Sequence, residues 1–125
     1  MKQIQLTYHE ESGYLYPDLT KPMTSIDMSI EYVDTYRGWQ EADKIVVVGF
    51  GFGADDEHIN GIIRNLIDID NKPIQIVTVK SDKTKDELLK DYAIKLKTLK
   101  CNNISVIQVD SQGKDSNGKM WTEII

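Results

Sequence analysis

A single cysteine, Cys101, stands in a chain of 125 residues. It excludes an internal disulfide and any zinc site built from cysteines, and it agrees with a reducing compartment. At the end of a helical pattern, Cys101 reads as a small packing residue. Long hydrophobic runs are also missing: no apolar stretch approaches the roughly 18 residues that a membrane span needs. The N-terminal Met1-Lys2-Gln3-Ile4-Gln5-Leu6 has no signal-type hydrophobic region. A cytoplasmic setting with no membrane partner is expected. Basic charge is scarce as well, with 15 Lys+Arg against 20 Asp+Glu and a net charge of −5. Residues 1–79 hold 6 basic and 13 acidic side chains, and residues 80–125 hold 9 and 7. Neither part is a basic patch, so nucleic acid bound through its phosphates is not an expected partner.

What is present has ordinary globular proportions, 40% hydrophobic and 28% charged. No repeat, low-complexity tract or linker divides the chain, and residues 1–125 read as one domain. The run Ile45-Val46-Val47-Val48, ending at Gly49, predicts a strand over 45–49 buried on both faces. Beyond the glycine-rich Phe50-Gly51-Phe52-Gly53, the spacing of Ile59, Ile62, Ile63, Leu66 and Ile67 predicts a helix with one buried face, stopped by Asn71 and Pro73. The same grammar follows again. Strand 74–79 leads to Thr84-Lys85-Asp86-Glu87, a capping-box pattern, and to a helix with Leu88, Leu89, Tyr92, Ala93, Leu96 and Leu99 inward. Strand 104–109 closes the unit.

Strands alternating with helices at this spacing imply right-handed crossovers. The expected fold class is α/β, a three-layer Rossmann-like parallel sheet with helices on both faces. Before the first strand, Ile26, Ile30 and Val33 recur at helical spacing, with Ser25 as a cap and Trp39 on the adjoining face. Earlier still, Ile4, Leu6 and Tyr8, then Tyr14 and Tyr16, alternate across a turn at His9-Glu10-Glu11-Ser12-Gly13, which reads as an N-terminal hairpin or edge strands. Met120–Ile125 fits either a further strand or an irregular packed segment.

In an open parallel sheet, ligands bind beyond the carboxyl ends of the strands, where Gly49-Phe50-Gly51-Phe52-Gly53 lies. Glycines allow close backbone approach, and the following helix start offers unpaired N–H groups to an anion. The Gly-x-Gly-x-Gly spacing nevertheless matches neither the dinucleotide fingerprint nor the P-loop. Asp55, Asp56 and Glu57 follow after Ala54, and three readings compete for them: capping of the helix, the rim of a nucleotide site, or ligation of a divalent metal. Their charge would repel a phosphate. His58 beside them reads first as a partly exposed imidazole among carboxylates, because no Ser, Cys or second His is near in sequence. The lysines of 83–100 read as a solvated face.

The stretch Ala42-Asp43-Lys44-Ile45-Val46-Val47-Val48-Gly49-Phe50-Gly51-Phe52-Gly53-Ala54-Asp55-Asp56-Glu57-His58-Ile59-Asn60 resembles a block of bacterial sirtuin-like domains: Ala-Asp, an apolar strand, Gly-aromatic-Ser-Phe, acids, His-Ile. The match covers about residues 39–80 and is loose elsewhere. The resemblance implies the C-terminal half of an NAD-binding Rossmann domain. It would set Gly49, Phe50 and Gly51, within the segment to Phe52 and Gly53, against the ribose and phosphates of NAD or ADP-ribose, Thr78 at the adenosine ribose, and Asp110 and Ser111 near the adenine. Gly51 stands where the family usually has serine. The family's N-terminal Gly-Ala-Gly loop, Asn-x-Asp segment and catalytic histidine have no counterpart. No catalytic or metal-binding residue is therefore assigned, and a second segment or chain, or an oligomer, would have to complete the site. The alternative is a non-enzymatic interaction module that kept the fold and lost the ligand.

Overall fold

The computed structural model describes residues 3–9, 14–16 and 25–125. In chain order these form β1 (Gln3–His9), β2 (Tyr14–Tyr16), α1 (Ser25–Gln40), β3 (Lys44–Val48), α2 (Glu57–Asp68), β4 (Ile74–Val79), α3 (Lys85–Leu96), β5 (Ile104–Val109) and α4 (Trp121–Ile124). One sheet has the order β2-β1-β3-β4-β5. Its last four strands are parallel, and β2 is antiparallel to β1 through Thr7↔Tyr16 and His9↔Tyr14. The α/β class, the parallel sheet and the N-terminal strand pair are thus as expected. The turn at 10–13 and the side chains of Tyr8, His9, Tyr14, Tyr16, Ser25 and Ile26 lie outside the described residues.

The two faces of the sheet are covered unequally, and the strand order explains why. Chain order and spatial order agree along β1, β3, β4 and β5, so right-handed crossovers always step the same way and lay their helices on the same side. On that side Ile45 and Val47, Ile74 and Ile76, and Ile104 and Val106 share one core with Trp39 of α1, Ile59, Ile63 and Leu66 of α2, and Tyr92 and Leu96 of α3. Among the described residues, the far face has only α4 and the last residue above it: Trp121, Ile124 and Ile125 pack on Val46, Val77, Ile107 and Val109. That cover serves mainly the carboxyl half of the strands. Nearer their amino ends, the row Gln5, Val46, Gln75, Ser105 crosses the far face, and Gln5 and Ser105 are exposed.

Local chemistry sets the helix ends. The Thr84 hydroxyl accepts a hydrogen bond from the Glu87 N–H at 3.2 Å, the predicted cap of α3. That helix ends where Lys97 enters the left-handed region at φ 59°. Asn71, at φ 54°, makes the turn between α2 and β4.

Three expectations need correction. Leu99 is 98% exposed rather than inward, because α3 has already ended and the chain has turned. Ile30 and Val33 of α1 are exposed; the helix instead turns Tyr32, Tyr36 and Trp39 inward, since the larger aromatic surfaces span the gap to α2. Tyr36 donates to Asp70 Oδ2 at 2.8 Å, which ties α1 to the α2–β4 connection. Finally, the tail does contain a repeat. Asp110-Ser111-Gln112-Gly113-Lys114 is followed by Asp115-Ser116-Asn117-Gly118-Lys119, and both units fold alike. In each, the aspartate Oδ1 accepts from the N–H groups two and four residues on, at 2.9 Å. Each glycine has positive φ, 84° and 78°.

Candidate functional site

A cavity of about 350 Å³ opens at the carboxyl ends of β3, β4 and β5. The crossovers put the loops there, so the position follows from the topology. Of the residues singled out in the sequence, Gly49, Phe50, Gly51 and Thr78 line it. The remaining wall is apolar: Val48, Val77, Val79 and Val109 from the strand ends, Tyr92 from α3 and Trp121 from α4. No lysine or arginine is among the lining residues.

The glycine loop keeps its shape for identifiable reasons. Gly49 has φ 72°, which turns the chain sharply off β3. Phe52 also has positive φ, 56°, an uncommon state for a bulky residue. Its ring is fully buried, 4.9 Å from Phe50 and 5.6 Å from Tyr92 in edge-on contacts. The buried Asn60 Nδ2 donates to the carbonyls of Phe52 and Gly53 at 3.2 and 3.1 Å. Phe52 therefore anchors the loop from below, and Gly53 is exposed at its end.

Asp110 and Ser111 stand at the exit of β5, both exposed. The Asp110 carboxylate is committed to its own turn, and the backbone N–H groups of Lys114 and Gln112 hold its pKa below the usual aspartate value. That turn also seats Trp121. A Cβ at Gly113 would come within 3.0 Å of Trp121 Cδ1, and Trp121 N–H donates to the Gly113 carbonyl at 2.9 Å.

The acidic turn behaves differently from the capping expectation. Ala54–Asp56 form a 3₁₀ turn, and Asp56 occupies the N-cap position of α2 without a side-chain cap bond. Glu57 is drawn to Arg64 at 2.5 Å and Lys97 at 3.4 Å, and the Arg64 hydrogen bond is the main cause of its lowered pKa. His58 is exposed. Among the described residues, no group of three or more His, Cys, Asp or Glu side chains could hold a metal ion, and no helix is long and apolar enough to cross a membrane.

No family model, curated protein or solved structure matches the chain. The chemistry must therefore be read from the cavity. It offers flat apolar and aromatic surface, backbone at Gly49 and Gly51 open to close approach, and the Thr78 side chain. Nothing in its lining can act as a nucleophile next to a general base. The sequence did not single out Tyr92 and Trp121 as site residues. Tyr92 was legible only as an inward-facing helix position, and the place of Trp121 depends on how the tail folds back.

Proposed function

We propose that this protein is a sirtuin-like half-domain that binds a nucleotide of the NAD or ADP-ribose type at the ends of β3, β4 and β5, is catalytically incomplete alone, and works in a cytoplasmic setting with a second segment or chain completing the site. One observation supports the reading: Gly49, Phe50, Gly51 and Thr78, which the resemblance would set against ribose and phosphate, line one cavity together with Tyr92 and Trp121. Aromatic and valine walls suit a planar base, and the open backbone at Gly49 and Gly51 suits a ribose-phosphate. The absent cations and the acids of 55–57 weaken phosphate binding, so the second segment is asked to supply the positive charge. Binding by the chain alone should be weak, in the high-micromolar to millimolar range, about −4 to −6 kcal/mol. Hydrolysis of NAD should be undetectable.

The test is titration with ADP-ribose followed by amide and indole chemical shifts. A Cβ at Gly51 meets nothing within 4 Å and Gly51 has no positive φ, so Gly51→Val should fold and yet crowd the ligand. Shifts should cluster at Gly49, Phe50, Gly51, Thr78 and the Trp121 indole in the wild type and vanish in the variant. Absence of shifts at millimolar ligand would remove the nucleotide reading and favour the interaction module, which the cation-free cavity also suits.

A further inference from the structure

Two Asn-Gly pairs occur in the chain, Asn60-Gly61 and Asn117-Gly118. Glycine has no Cβ, so in such a pair its backbone nitrogen reaches the asparagine Cγ with the least steric hindrance. The structure treats the two pairs in opposite ways. Asn60 is 1% exposed within α2; its Nδ2 donates to the carbonyls of Phe52 and Gly53, and the helix fixes the backbone between it and Gly61. Asn117 and Gly118 are both exposed, and a Cβ at Gly118 would meet nothing within 4 Å. The Gly118 N–H donates to the Asp115 carbonyl at 3.0 Å, a bond across an exposed turn whose opening leaves the core untouched.

The duplicated turn of the tail provides a comparison within the same molecule. Gln112-Gly113 holds the same place in the first unit, and the Gly113 N–H donates to the Asp110 carbonyl, also at 3.0 Å. Gln112 would have to close a larger, less readily formed ring. The two turns thus share a backbone and differ in reactivity.

We infer that Asn117-Gly118 is a site of spontaneous succinimide formation, and that its isoaspartyl product unfastens the turn leading into α4. The Gly118 nitrogen attacks Asn117 Cγ; the bond from Cγ to the side-chain nitrogen breaks, and ammonia leaves with the proton that Gly118 gives up. Water then opens the cyclic imide. Addition at Cγ leaves a normal aspartate, whereas addition at the Asn117 backbone carbonyl carbon leaves an isoaspartate, with the main chain running through the former side chain. Aspartate suits the turn position and sets its charge beside Lys80 and Lys85, which share a cleft with Asn117. The isoaspartyl main chain is longer, and the turn is too tightly bonded to absorb it. Asp115 Oδ1 accepts from the Asn117 and Lys119 N–H groups at 2.9 Å, and the Asp115 N–H donates to the Lys119 carbonyl at 2.8 Å. Lys114 bridges to Met120, the residue before Trp121, across the same turn. None of this depends on the nucleotide reading.

Incubation of the whole chain in mildly alkaline buffer, native and in urea, followed by peptide mass spectrometry, tests it. Exchange of the side-chain NH2 for OH raises the mass, and electron-transfer fragmentation separates aspartate from isoaspartate. In the native protein Asn117 should convert at least about tenfold faster than Asn60 or Gln112, because local opening frees its neighbourhood alone. In urea Asn60 should catch up with Asn117, and Gln112 should still lag. In the isolated isoaspartyl form the Trp121 indole resonance should leave its native position. Asn117→Gln, which copies the first turn, should keep both its mass at that peptide and its indole resonance through the same incubation. Native conversion at Asn60 as fast as at Asn117, an unreacted Asn117 in native protein while the urea sample converts, or an unmoved indole in the isoaspartyl form overturns the proposal.

Discussion

Single side chains decide how firmly the layers hold. Ile63, in the middle of α2, is 0% exposed and belongs to the core between the helices and the sheet. Ile63→Ala removes buried carbons and leaves a void that rigid neighbours fill poorly, so it should cost about 2–5 kcal/mol. Lys90→Ala, at an exposed position of α3, should cost less than about 0.5 kcal/mol. Urea denaturation of the two variants checks this, and equal midpoints would contradict the packing of α2. At the same scale, Gly49 and Gly51 differ although the sequence treats them alike. Gly49 needs its positive φ for the turn; Gly51 keeps open space that a ligand could use.

At the scale of elements, the tail shows how backbone turns place a distant side chain. Asp110 Oδ1 gathers two backbone N–H groups, the turn brings Gly113 under the indole, and Trp121 reaches the cavity mouth. The folded turn holds the Asp110 pKa below its unfolded value. A depressed carboxylate contributes stability that is complete above the unfolded pKa and is lost as pH falls through the folded one. The tail should therefore loosen in acid, beginning below the ordinary aspartate value. The measurement is Trp121 fluorescence in a Trp39→Phe background, where emission should shift to the red as pH falls. In Asp110→Asn the wild-type acid step should be missing. An identical acid step in both proteins would show that another group controls it.

Across the whole molecule, the consequence of a uniformly stepping strand order is a sheet with one thick cover and one thin one. Removing Trp121–Ile125 would expose Val46, Val77, Ile107 and Val109, all buried now. Loss of that partial burial should destabilise the protein by roughly 2–5 kcal/mol and open the cavity wall at Trp121. A lowered melting temperature and binding of a hydrophobic dye are the expected readouts. An unchanged melting temperature would mean that the far face is stable when wet.

The sequence alone determined the local pattern. The β-branched run at 45–48, the 3.6-residue spacing from Ile59 to Ile67 and the Thr84-x-x-Glu87 cap each depend on neighbours a few residues away, and each produced the strand, the helix or the helix start expected of it. The glycine loop was legible for the same reason, since leaving a strand sharply needs φ that glycine adopts freely. Tertiary structure decided what local spacing cannot encode. Which side of α1 faces inward depended on the gap it had to fill, so Tyr32, Tyr36 and Trp39 displaced the regular Ile30 and Val33. Leu99 became surface because α3 stopped at Leu96. Tyr92 and Trp121 joined the cavity through contacts with residues far away in the chain, and the unequal faces followed from strand order, which packing of the whole sheet selects.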